Sequence, residues 1–298
     1  MRYGCKAARV ALRLRRRRGT ATARQATVSS GAMRTARLAA VVSLVCVTPS
    51  GALAADLQPQ AAQAYEKYAE GAARDFVARA QKAAAAARRC DGVIGARAGS
   101  GDGILSVPDG LIHHWLGLAF VRGATLKQVD AVARDYSSYS KVYTNVVSAK
   151  VLSQKGDSYR VLIRLKEGEA GINAVLDVRS AVDYRTLAAG GITAISRSEE
   201  IREVENAGRS DESLLPAGRD SGYLWRAHTL TYFAAEEGGV LVVMETLGLS
   251  RRFPRGFGWI IEPIARRLGR KSVEGSLSEF ASAIRRSANL QPGSPACN

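Results

Sequence analysis

Hydrophobic and polar positions change period several times along the chain. Residues 58–90 are alanine-rich and charged, and Tyr65, Ala72, Phe76 and Ala80 recur near helical spacing, which predicts a helix. Residues 91–110 hold six glycines and Pro108, which predicts a loop or linker. From Leu111 to Val121 the run is apolar enough for a buried strand. Leu126, Val129, Val132 or Ala133, and Tyr136 then predict a helix over 125–143, with Thr125 as its N-cap.

Strands follow one another after that. Segments 146–153 and 159–166 flank Lys155-Gly156-Asp157 as a hairpin. In 172–187, Ile172, Ala174, Leu176, Val178, Val182 and Tyr184 share one face, with charged residues on the other. Gly190-Gly191 turns the chain into a long polar strand, 192–205. A polar loop over 206–220 precedes a last hairpin, 223–235 and 240–249. The end is helical: a short apolar segment, 257–268, breaks near Pro263, then Val273, Leu277, Phe280, Ala281 and Ile284 follow helical spacing. Ser276 and Glu279 have the spacing of a capping box, or else lie inside the helix.

The order predicts an α+β fold. About six to seven antiparallel strands form a sheet, a long C-terminal helix covers its apolar face, and an extra helix precedes it. A curved sheet closed on one helix leaves a cavity between them.

The last hairpin suggests what lines that cavity. If Glu237-Gly238 is a two-residue turn, Phe233 faces Val242, Thr231 faces Met244 and Thr229 faces Thr246. One face then carries Trp225, Ala227, Thr229, Thr231, Phe233, Val242, Met244, Thr246 and Gly248, without a charge. The other carries Arg226, His228, Tyr232 and Glu245, with Arg226 and Glu245 as a cross-strand ion pair or an outer-face network. The uncharged face is expected to look inward, as a ligand pocket with few placed polar groups or as a closed core against the C-terminal helix. A one-residue slip in register would exchange the faces.

Charge alters this picture little. The net charge of +16 suggests nucleic acid, but residues 1–54 hold 11 of the 43 basic residues and none of the 27 acidic ones. The remainder has 32 basic against 27 acidic residues, a net of +5, which is no nucleic-acid footprint.

The start of the chain reads as an export signal. Residues 33–54 run from a basic stretch through an apolar one to Ala52-Leu53-Ala54, predicting cleavage before Ala55 and a periplasmic or secreted protein. Met33 is a natural initiator for it, which makes 1–32 an over-extended gene start; a transit peptide starting at Met1 is the alternative. The mature chain then divides into an N-terminal helix with its glycine-rich linker (55–104), the main domain (105–290) and a tail (291–298). Val45 before Cys46 argues against a lipid anchor. Cys90 and Cys297 remain after processing, either paired in an oxidising compartment or as separate thiols.

No cofactor or metal is expected. The Gly99–Gly103 run lacks the Lys-Ser/Thr of a phosphate loop. No Gly-x-Ser-x-Gly elbow and no zinc-ligand spacing occurs. His113 and His114, adjacent on a strand, point to opposite sides, so they cannot share a metal; either is a weak candidate acid/base, or a structural group.

Several stretches resemble an exported bacterial subgroup of START-like proteins. These are Val107-Pro108-Asp109-Gly110-Leu111-Ile112-His113-His114-Trp115, residues 198–208, Gly222-Tyr223-Leu224-Trp225-Arg226, and 238–263 with its Gly258-Trp259-Ile260-Ile261. Over about residues 105–288 the chain is similar to the SRPBCC superfamily, which includes lipid-transfer domains, polyketide cyclases and coenzyme-Q-binding proteins. The resemblance implies a helix-grip fold with a hydrophobic cavity and no particular reaction. The run 227–231 departs from the subgroup's pattern, where a more aromatic and polar run is expected.

The expected partner is an apolar small molecule or lipid, with transient contact to a membrane and no nucleic acid. Trp115, Tyr136, Trp225, Thr229, Thr231, Phe233, Val242, Met244, Thr246 and Trp259 are the ligand-binding candidates, although the three tryptophans read as core anchors ahead of ligand-stacking groups. A carrier is the leading reading. A cyclase- or hydrolase-type enzyme in the same cavity and an envelope interaction module using helix 58–90 are the alternatives.

Overall fold

The computed structural model describes residues 55–87, 90–167, 174–188, 190–252 and 258–291. The expectations for 1–54, and those on Cys297 and the side chain of Trp259, lie outside the described residues. In chain order the elements are β1 (Ala55–Asp56), α1 (Pro59–Ala86), β2 (Gly92–Ala98), β3 (Ile104–Val107), β4 (Gly110–Arg122), α2 (Leu126–Arg134), α3 (Tyr139–Val142), β5 (Val146–Lys155), β6 (Ser158–Glu167), β7 (Ala174–Thr186), β8 (Ile192–Glu205), β9 (Ser213–Leu214), β10 (Arg219–Asp220), β11 (Arg226–Glu236), β12 (Gly239–Arg251) and α4 (Gly258–Ser287).

The fold is α+β. One antiparallel sheet of ten strands runs β2-β4-β12-β11-β8-β7-β6-β5, with β3 also paired to β4 and β9 to β8. That exceeds the six to seven strands expected, chiefly because 91–110 is not a linker. Val93, Ala96 and Ala98 turn toward one face and Ile94 toward the other, enough apolar contact to hold β2 against β4. Its glycines serve the bends: Gly95 has φ +146° at a bulge, and Gly101 and Gly103 (φ +53° and +92°) turn the chain into β3.

The helices depart from expectation in two places. The segment 125–143 is α2, a 3-10 turn over Tyr136–Ser138, and α3, though Thr125 does form the capping box with Gln128. The C-terminal helix is not broken at Pro263 but runs through it. Ser276 and Glu279 therefore lie inside α4, and Glu279 instead accepts from the Thr144 hydroxyl at 2.6 Å and its backbone N–H at 3.2 Å.

Each sheet face has its own core. On the inner face, Ala119, Val121, Phe233, Val240 and Val242 pack with Val273, Leu277, Phe280, Ala281 and Ile284 of α4. On the outer face, Leu116, Leu118, Phe120, Leu230, Tyr232, Leu241, Val243 and Leu247 pack under α1. Ala61, Tyr65, Ala69, Ala72, Phe76 and Ala80 form one buried stripe of α1, three to four residues apart. The short alanines let that helix lie close to the sheet. No described helix is long and apolar enough to cross a membrane.

Candidate functional site

The strand register of the last hairpin is as the sequence predicts: Thr229 pairs with Thr246, Thr231 with Met244 and Phe233 with Val242. Alternation along β11 and β12 sends these side chains to the inner face. A cavity of about 440 Å³ opens there, between the sheet, α4 and the α2–α3 segment. That is within the usual range for a small-molecule site, about 300–1,000 Å³.

Of the ligand-binding candidates, Trp115, Tyr136, Thr229, Thr231, Phe233, Met244 and Thr246 line the cavity. Val242 lies on the same face but is fully buried in the packed core beside it. Trp225 is a correction. It precedes the first paired residue of β11, escapes the alternation, and joins the outer core, where its Nε1 donates to Asp220 Oδ1 at 2.9 Å.

The lining contributes oriented polar groups but little charge. The hydroxyls of Thr229, Thr231, Thr246, Ser180 and Ser196 border the cavity and make no side-chain hydrogen bond among the described residues. A tyrosine cluster closes the α2–α3 end. Tyr136 and Tyr184 hydroxyls are 3.1 Å apart, and Tyr184 and Tyr139 both donate to the Ala133 carbonyl, at 2.8 and 2.6 Å. Burial pushes the Tyr136 phenol up to about 12 and also raises Tyr139, Tyr143 and Tyr184, so all stay neutral. Opposite them Phe233 stacks on Phe280 with centroids 5.8 Å apart. Tyr139, Tyr143, Tyr184 and Phe280 were not among the predicted site residues. Tyr184 sat on the right alternating face and Phe280 on the helix stripe, so both were traceable in sequence.

Trp115 is held by absent side chains. A Cβ on Gly269 would meet its Nε1 at 2.3 Å, and one on Gly103 would meet its Cζ2 at 2.5 Å. The indole therefore lies between α4 and the β2–β3 turn at one end of the lining.

The adjacent histidines separate as expected. His113 borders the cavity, with Nε2 2.8 Å from Ser250 Oγ, and burial lowers its pKa to about 4. His114 points to the outer face. Its Nε2 lies 2.6 Å from Glu245 Oε1 and must donate, since a carboxylate only accepts; Nδ1 is then free to accept from the Tyr68 hydroxyl at 2.7 Å. The same Glu245 oxygen accepts from Arg79 Nη2 at 2.7 Å. Glu245 is thus wholly buried under α1 and paired with Arg79 and His114. The expected Arg226–Glu245 pair does not form, because Leu249 stands opposite Arg226, which reaches Glu66 at 3.7 Å. Cys90 is disulfide-bonded, and its partner lies outside the described residues. Among the described residues no group of three or more His, Cys, Asp or Glu side chains could hold a metal ion.

The architecture and cavity together define an α+β helix-grip protein, a sheet closed on a C-terminal helix with an internal pocket. No family model matches the chain, and no curated protein matches it. Among solved structures it is similar to a protein of Thermus thermophilus (16% identity over 58% of this chain and 97% of that one, TM-score 0.42). It is also similar to the STAR-related lipid transfer protein of Xanthomonas axonopodis (17%, 62% and 96%, TM-score 0.41) and to the Zhui aromatase/cyclase of a Streptomyces species (15%, 59% and 95%, TM-score 0.36).

Proposed function

We propose that this protein binds and carries one neutral, mainly apolar molecule in the inner cavity, of the class of a lipid, isoprenoid quinone or polyketide-like compound. The observation that supports this is the lining: aromatic and aliphatic walls with several hydroxyls that have no protein partner among the described residues. Apolar burial at about 25 cal/mol per Å² supplies the affinity. The hydroxyls orient a carbonyl or hydroxyl on the ligand. A charged group would enter unpaired and lose its hydration. Replacing Thr231, which lies on the inner face, with tryptophan puts a bulky indole into the cavity. Thr231→Trp is expected to abolish binding of a neutral apolar fluorescent probe while the melting temperature stays within a few degrees. Unchanged probe binding in this folded variant would remove the inner cavity as the site.

A second reading, a cyclase-type enzyme, is favoured by His113 alone. Its ring borders the cavity and is neutral at pH 7, while burial makes it a weak base that a bound polar ligand would have to strengthen. Turnover of a bound polyketide-like ligand that His113→Gln loses, with binding retained, would establish it.

Export belongs to the same proposal. The basic, apolar and small-residue order of 33–54 supports it, and so does the disulfide-bonded Cys90, which suits an oxidising compartment. A mature N-terminus at Ala55 is the expected result of sequencing the secreted protein.

A further inference from the structure

A second concavity, of about 550 Å³, lies on the opposite face of the sheet, between the C-terminal part of α1, the edge strand β2 and its neighbour β4. Its apolar surface comes from Ile94, Leu116 and Leu118 and from alanines of α1. Leucine would serve the helix almost as well by propensity. With alanine at positions 83 and 86, no large apolar side chain of α1 covers the strands there.

Among the described residues three cations border this groove, Arg79, Lys82 and Arg97, and no acidic side chain lines it. Arg97 stands opposite Leu116 in the β2–β4 ladder, so cation and apolar surface adjoin. Arg79 is anchored through Nη2 to Glu245 and to the Ala72 carbonyl, while its enclosed Nε has no partner. Lys82 and Arg97 are exposed and make no ion pair or side-chain hydrogen bond among the described residues.

We propose that this groove is a second ligand site, for a single-chain amphiphile with an anionic head, a carboxylate or phosphate. The chain lies along Ile94, Leu116 and Leu118, and the head receives charge-assisted hydrogen bonds from Lys82 and Arg97, with Arg79 as the fixed positive end. The site differs from the inner cavity in its chemistry. The cavity offers neutral hydroxyls and the groove offers unpaired cations, so the two select opposite head groups. It does not depend on what the inner cavity binds.

The test is calorimetric titration of the full chain with dodecyl phosphate below its micelle concentration, at low ionic strength. Dodecanol and inorganic phosphate are the controls. The variants are Lys82→Glu/Arg97→Glu and the charge-keeping Lys82→Arg/Arg97→Lys, both at exposed positions. Charge reversal is expected to weaken dodecyl phosphate by about tenfold or more, as for loss of two charge-assisted bonds. The charge-keeping variant and the response to dodecanol should stay as in the wild type, and added salt should weaken dodecyl phosphate alone. Equal dodecyl phosphate binding by wild type and charge-reversed protein would overturn the proposal, placing that amphiphile in the inner cavity. So would inorganic phosphate binding as tightly as dodecyl phosphate. A charge-reversed protein that loses only co-sedimentation with phosphatidylglycerol vesicles, keeping monomer binding, would overturn it in favour of a membrane-facing patch.

Discussion

Buried polar residues give the sharpest expectations at the scale of single side chains. His113 and His228 are both held near pKa 4, chiefly by burial, against about 6.5 in an unfolded chain. Above pH 6.5 both rings are neutral, folded or unfolded, and contribute no pH dependence. As pH falls from 6.5 toward 4 the unfolded chain takes up protons that the folded one refuses, so stability is lost across that window and levels off below it. The loss is on the order of 3 kcal/mol per histidine. Urea unfolding from pH 7.5 to 4 should show this fall, and a His113→Gln/His228→Gln protein should show a shallower one. Equal slopes in the two proteins would contradict the account.

Glu245 is the other test at this scale. Its carboxylate is fully buried and shared by His114 and Arg79, whose own side chain is 31% exposed. Glu245→Ala leaves His114 without its acceptor, while Arg79 can turn to water. The expected cost is therefore on the order of 2 kcal/mol, below the roughly 3–5 kcal/mol of a fully enclosed pair. Glu245→Gln keeps an acceptor for His114 and should cost less. Chemical denaturation of the three proteins checks the order; a Gln variant as unstable as the Ala variant would show that charge, not the hydrogen bond, holds the network.

At the scale of elements, α4 depends on one glycine of β4. A Cβ on Gly117 would meet Val273 Cγ1 at 2.5 Å and Leu277 Cδ1 at 2.7 Å. Gly117→Val should push α4 off the sheet and cost roughly 1–3 kcal/mol by overpacking, with a lowered melting temperature. A neutral result would mean that α4 is not seated on β4 as described. Elements also differ in how far the chain's pattern discloses them. The β11–β12 hairpin was legible down to its register, because Glu237-Gly238 marks the turn and the uncharged face alternates cleanly. Strands β2 and β3 were hidden by glycines, which read as linker but here serve a bulge and a tight turn. The outer cover was hidden differently. Residues 240–244 are apolar at every position, the mark of a strand buried on both faces, yet the helix that buries the second face lies about 180 residues earlier. Sequence separation of that size leaves no local signal, so His114, Glu245 and Arg79 could not be joined in advance.

Over the whole molecule the sheet carries a packed core on each face, with a groove beside the end of α1 on the outer side and a cavity under α4 on the inner side. Its outer face carries leucines, phenylalanine and tyrosine closed by an alanine-rich helix, a packed core. Its inner face carries threonines, alanine and glycine toward α4, and the missing side-chain volume is the cavity. The outer core lets the inner one stay open, since much of the stability is supplied by packing that the cavity lining does not share. The central claim is that this volume is a ligand site and not a flaw of packing. Native mass spectrometry of the protein purified from its own host, before and after organic extraction, tests it most directly. The account predicts a reproducible added mass of a neutral apolar compound, which extraction removes and Thr231→Trp fails to retain. A bare protein mass, with no uptake of added lipids or quinones, would contradict it.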